Sequence, residues 1–258
     1  MSANNTDHRR TRLLTGPVLP ALVRLAAPNV LLALMQALVS FADTWFIGRL
    51  GTDGLAGVAL VFPILILMQM MSAGAMGGGV SSAIARALGG GDVRRAERLA
   101  VHALVIAIAF GLVFTALMIL AGPALYRSLG GSGAALGYAI AYSTIVFGGA
   151  LAVWLCNILA NIVRGTGNMA VPAIILSTTA LLQIPLCGAL VLGWGPFPRL
   201  GISGAGIATV CSFGAGALCF AGYIRAGYTG LAVRRRGNEL NRRLFADILT
   251  VGLLSSFN

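Results

Sequence analysis

Four polar side chains recur along one otherwise apolar stretch, Asn29, Gln36, Ser40 and Asp43, at spacings of 7, 4 and 3 residues. At about 100° per residue these spacings put all four on one face of a helix. Asp43 is the member that can do chemistry, because a carboxyl can take up a proton or pair with a cation. Its surroundings, residues 25–47, are long and apolar enough to cross a bilayer. A charged side chain inside such a span costs about 2.5–3.5 kcal/mol on insertion scales, so it belongs in a bundle interior or a watery cavity. The competing reading is that Asp43 stands one turn from the outer helix end and reaches the headgroups.

Other spans carry polar groups at helical spacing. Gln69 and Ser72 lie one turn apart, with Met68, Met70, Met71 and Met76 around them. Methionines there serve either as gap-filling packing or as an adaptable surface for apolar ligands. Asn157, Asn161 and Arg164 share a face, as do Thr179 and Gln183. Membrane asparagines seek partners on neighbouring helices, so Asn157 and Asn161 are either interhelical ties or ligand contacts. We expect Gln36, Ser40, Gln69, Asn157, Asn161, Thr179 and Gln183 to line one cavity around Asp43. Prolines at 28 and 185 fall inside spans, where the missing amide predicts a kink or a local unwinding.

The elements that position these residues are transmembrane helices. Of 258 residues, 58% are hydrophobic and 10% charged, and the mean hydropathy is +0.90. Soluble domains carry about 25% charged residues. The long unbroken apolar runs also differ from the alternating segments of about ten residues in a membrane β-barrel. Six segments of spanning length follow one another at 25–47, 55–80, 99–121, 137–162, 170–193 and 202–224, each near the roughly 20 residues a bilayer core requires. The expected fold is an all-α, polytopic six-helix transmembrane bundle. The expected organisation is an N-terminal segment 1–24, a helical lobe 25–224, a basic connector 225–243, and the start of a seventh helix over 244–258.

The net charge of +11 comes from 18 basic residues, every one an arginine. Fifteen of them fall in segments 1–24, 86–98, 164 and 225–243, which alternate with the loops holding Arg49, Arg127 and Arg199. That asymmetry places the N-terminus and the basic connector in the cytoplasm of a multi-pass plasma (bacterial inner) membrane protein. The arginines sit at helix ends without interleaved aromatics, so a membrane surface and not nucleic acid is the expected partner.

Other chemistries lack their residues. Cys156, Cys187, Cys211 and Cys219 all fall in apolar runs without a CxxC, and read as small packing residues. No HExxH, GxSxG or Walker motif occurs, and His8 and His102 are far apart. We expect no enzymatic activity, no metal site and no cofactor beyond a coupling ion, proton or sodium.

One set of motifs resembles a known family. Leu25-Ala26-Ala27-Pro28, Asp43-Thr44, Gly48-Arg49-Leu50-Gly51 and Ala85-Arg86-Ala87-Leu88-Gly89 occur in order. Arg164-Gly165-Thr166-Gly167-Asn168 and Gly193-Trp194-Gly195-Pro196-Phe197-Pro198 follow them. Across residues 20–225 the chain resembles multidrug and toxic compound extrusion (MATE) transporters. The resemblance implies two six-helix lobes related by an axis along the membrane normal. It also implies efflux of small cationic or amphipathic compounds by antiport against protons or sodium. Asp43 then corresponds to the family's first-helix coupling acid. Where members commonly carry an Asn and an Asp in the fifth helix, this chain has Gln183 and Cys187, and Val39 replaces a tyrosine found in some. On this pattern the chain supplies the N-terminal lobe and the beginning of the next, implying either a missing C-terminal lobe or a second copy as partner. The alternatives are an inactive or merely associating fragment, and a lipid-linked oligosaccharide flippase of the same superfamily.

Overall fold

The computed structural model describes residues 18–231, 244–248 and 250, with side chains from residue 30 onward. Expectations that fall on residues 1–17, on most of the basic connector (232–243), on 251–258, and on the side chains of Pro28 and Asn29 lie outside the described residues. The described residues form helices and no strand. The helices are α1 (Val18–Gly48), α2 (Thr52–Gln69), α3 (Met76–Gly89), α4 (Val93–Ser128), α5 (Gly133–Gly148), α6 (Ala150–Gly165), α7 (Ala170–Leu192) and α8 (Ile202–Arg225). A six-residue π turn, Met70–Ala75, joins α2 to α3 in one long rod. Among the described residues five helical rods are long and apolar enough to cross a membrane, and the bent pair α5–α6 makes a sixth crossing. The protein is a multi-pass membrane protein.

Two features depart from a row of straight spans. The segment 137–162, expected as one helix, is broken between α5 and α6 by a 47° bend. The Gly148–Gly149 pair supplies the weak point, and such pairs are common kink sites. Val210 of α8 packs directly on Gly149. Thr115 of α4 donates its hydroxyl to the Phe147 carbonyl at 2.7 Å, meeting an acceptor at the break. The second departure is the π turn, which falls inside the expected span 55–80. Pro185, by contrast, sits in an uninterrupted α7, so the local unwinding entertained for it does not occur.

Close backbone approach holds the bundle together. A Cβ at Gly57 would stand 2.7 Å from Tyr138 Cβ and 2.9 Å from the Ala135 carbonyl oxygen, so only glycine lets α2 meet α5. Small residues at helix contacts are the usual packing device in lipid, where no hydrophobic force drives helices together. The side chains turned outward are large and apolar, with Leu120 and Leu218 among the most exposed, as a lipid-facing surface requires. At the other end of the chain, residues 244–248 are helical and dock on α4. Phe245 meets His102 edge-on with ring centroids 4.6 Å apart, and Arg95 pairs with Asp247 at 2.7 Å.

Candidate functional site

Five rods converge on a cavity of about 530 Å³. α1 contributes Gln36, Ser40 and Asp43; α2 with the π turn contributes Phe62, Gln69 and Met70; α5 contributes Tyr142. α7 supplies Thr179 and Gln183, and α8 supplies Thr209, Ser212 and Phe213. Among the described residues Asp43 is the sole charged side chain in this lining. The chamber thus combines amides and hydroxyls with aromatic and aliphatic walls around a single acid.

Asp43 is half-buried and turned into the bundle. Gln183 Nε2 donates to Asp43 Oδ2 at 3.0 Å and also approaches Thr209 Oγ1 at 3.4 Å. The Cys187 thiol lies beside the same carboxyl, one turn further along α7. Asp43 Oδ1 is enclosed and accepts no hydrogen bond from a nitrogen or hydroxyl among the described residues. An enclosed carboxylate oxygen with so little hydrogen bonding is costly. Around it stand a neutral amide, hydroxyls and a thiol. No group of three or more His, Cys, Asp or Glu side chains able to hold a metal ion occurs among the described residues.

The sequence grouped these residues only in part. Gln36, Ser40, Gln69, Thr179 and Gln183 line the chamber with Asp43. Asn157 and Asn161 do not; they are buried one layer behind it, and their amides are engaged by the π turn. Asn157 Nδ2 donates to Gln69 Oε1 at 3.1 Å and to Ser72 Oγ at 2.8 Å. Asn161 Nδ2 donates to the Ala73 carbonyl at 3.2 Å and to the Asn157 carbonyl at 2.9 Å. A π turn disturbs the regular i→i−4 ladder and often marks a functional position. The two asparagines supply donors where that ladder is disturbed. They act here as interhelical ties, of the two roles open to them. Thr179 spends its hydroxyl on the Ile175 and Leu176 carbonyls of its own helix, leaving lone pairs and a methyl group for the chamber.

Residues that sequence reasoning did not assign to the site are Tyr142, Thr209, Ser212, Phe62 and Phe213. Thr209 and Ser212 carried a signal, being one turn apart on an apolar, glycine-rich span. Tyr142 carried none, since a single tyrosine in an apolar run reads as packing.

Fold and chamber together define a polytopic helical protein with an acid-bearing cavity between its spans. The MatE family profile matches residues 28–188, and the chain belongs to that family. A protein of Shewanella oneidensis described as an FAD transporter is 33% identical over 83% of this chain and 47% of its own length. A probable multidrug resistance protein NorM of Thermotoga maritima is 30% identical over 77% of this chain and 43% of its own length. Among solved structures, a MOP superfamily transporter from Pyrococcus furiosus superposes with a TM-score of 0.85 at 32% identity. It is matched over 95% of this chain and 54% of that one, and its binding pocket is described as having reverse polarity. An outward-facing multidrug resistance MATE transporter superposes at 0.83 and 32% identity, over 92% of this chain and 52% of that one. The chain spans about half the length of the curated relatives it matches.

Proposed function

We propose that this chain forms the N-terminal lobe of a secondary active efflux transporter for cationic or amphipathic small molecules, with Asp43 as its proton-coupling acid. The observation that carries this reading is a chamber between the spans whose described lining holds one charged side chain, Asp43, tied at Oδ2 by Gln183. In the ionised state the carboxylate attracts a monocation into a wall of amides and aromatic rings. Protonation from the outer side removes that attraction, so cation release and proton uptake compete for one carboxyl. Gln183 positions the acid by its bond to Oδ2.

The alternatives fit the lining less well. A pyrophosphate-linked lipid, or a flavin dinucleotide such as the Shewanella relative's name indicates, is anionic and calls for basic side chains; no arginine or histidine lines the chamber among the described residues. We further propose that the lobe lies in the bacterial inner membrane with its N-terminus cytoplasmic, as the arginine distribution supports. It would pair with a second six-helix lobe or a second copy. A fragment that merely associates with other membrane proteins would move no dye. The test is efflux of a cationic dye by the complete protein in an efflux-deficient host, comparing wild type with Asp43→Asn at several external pH values. Loss of pH-dependent efflux is expected; efflux unchanged in rate and pH response would remove Asp43 from the mechanism.

A further inference from the structure

Gln69 stands at the junction of α2 and the π turn, half-buried, with its side chain on the chamber. Its two amide atoms are treated differently. Oε1 accepts a hydrogen bond from Asn157 Nδ2, while Nε2 has no partner among the described residues. The tie is backed by a second contact, since the same Asn157 amide donates to Ser72 Oγ, whose hydroxyl donates to the Gln69 main-chain carbonyl at 3.3 Å. Asn161 fixes the next residue of the turn through the Ala73 carbonyl. Gly77 leaves room for this arrangement, as a Cβ there would stand 2.8 Å from Asn161 Cγ. The consequence is a chamber-lining glutamine whose Oε1 is tied behind the wall, leaving its N–H groups without a protein partner among the described residues. Asp43, in the same chamber, offers only acceptors in its ionised form.

We propose that Gln69 is a specificity-determining residue that donates a hydrogen bond to the ligand, with Asn157 as the positioning residue that sets its amide. The ligand class is then narrower than any amphipathic cation: a cationic group for Asp43 and, on the same molecule, a carbonyl or ether oxygen for Gln69. This inference rests on the reading of the chamber as a cation site, and it goes beyond that reading by assigning a second point of recognition.

The experiment measures equilibrium affinities of the purified complete protein for two cations. Rhodamine 6G carries ester and ring-ether oxygens, whereas tetraphenylphosphonium carries no acceptor. The readout is the ratio of the two affinities. Gln69→Leu is expected to lower the preference for rhodamine 6G by about 3–10-fold, the worth of one buried hydrogen bond. Asn157→Leu should lower it by a similar factor, and the double variant by no more than either alone, as for two residues acting through one contact. Gln69→Leu changes a side chain bordering open space, so the test stands even where Asn157→Leu fails to fold. An unchanged ratio in Gln69→Leu, with tetraphenylphosphonium still bound by wild type, overturns this inference alone. Failure of wild type to bind tetraphenylphosphonium overturns the cation-site reading and this inference with it.

Discussion

Asn161→Ala tests whether the asparagine pair supports the π turn. Asn161 is 3% exposed, and its amide nitrogen makes two hydrogen bonds, to the Ala73 and Asn157 carbonyls. The Asn157 carbonyl lies within α6, four residues before Asn161, and keeps its helical partner in the variant. The Ala73 carbonyl belongs to the π turn and loses its side-chain donor. Losing the net worth of a side-chain hydrogen bond at this half-buried, chamber-lining carbonyl costs about 0.5–1.5 kcal/mol. An exposed bond such as Ser128 to the Leu125 carbonyl is worth less than about 0.5 kcal/mol when removed. In a domain of this size each kcal/mol moves the melting midpoint about 2–4 °C, so Asn161→Ala should lower it by about 1–6 °C. Ser128→Ala should lower it hardly at all. The assay is thermal unfolding of the detergent-solubilised complete protein, followed by monodispersity after heating. Equal midpoints for Asn161→Ala and wild type would refute the assignment of Asn161 as a support of the turn.

Gly57→Leu should prevent α2 from packing on α5, because the space beyond its Cα is filled by Tyr138 and the Ala135 carbonyl; the expected result is loss of folded protein from the membrane fraction. Cys187→Asp would set a second carboxyl beside Asp43 and is expected to make dye efflux respond to sodium, measured by exchanging sodium for choline at fixed pH. The arginine asymmetry predicts that a cysteine replacing Gly91, in the exposed loop between α3 and α4, reacts with a membrane-impermeant thiol reagent in inside-out vesicles and not in intact cells.

Much of the architecture was legible because lipid imposes a simple rule: apolar runs of spanning length must be helices. The stripe from Gln36 to Asp43 was legible for the same reason, since a polar face on an apolar helix must meet something polar. Helix irregularities were not legible. The π turn at Met70–Ala75 has no local signal in Met-Met-Ser-Ala-Gly-Ala, because its support comes from Asn157 and Asn161, more than eighty residues away. The bend at Gly149 had a local signal in the Gly148–Gly149 pair, which the expected unbroken span passed over; Thr115 and Val210 meet it from other helices. The asparagines themselves announced a need for partners, but periodicity could not say whether those partners were ligand or protein. Cys187 read as packing from its apolar run, and only the family resemblance set it with Gln183 at the site; the packing of α7 against α1 brings its thiol beside Asp43.

The central claim is that one carboxyl, Asp43, serves proton and cation in turn. Its most direct test is the affinity of the purified complete protein for tetraphenylphosphonium, measured across a pH series for wild type and Asp43→Asn. The account predicts that wild-type affinity weakens as pH falls, while Asp43→Asn binds weakly at every pH. Retention of the wild-type pH dependence by Asp43→Asn would contradict it.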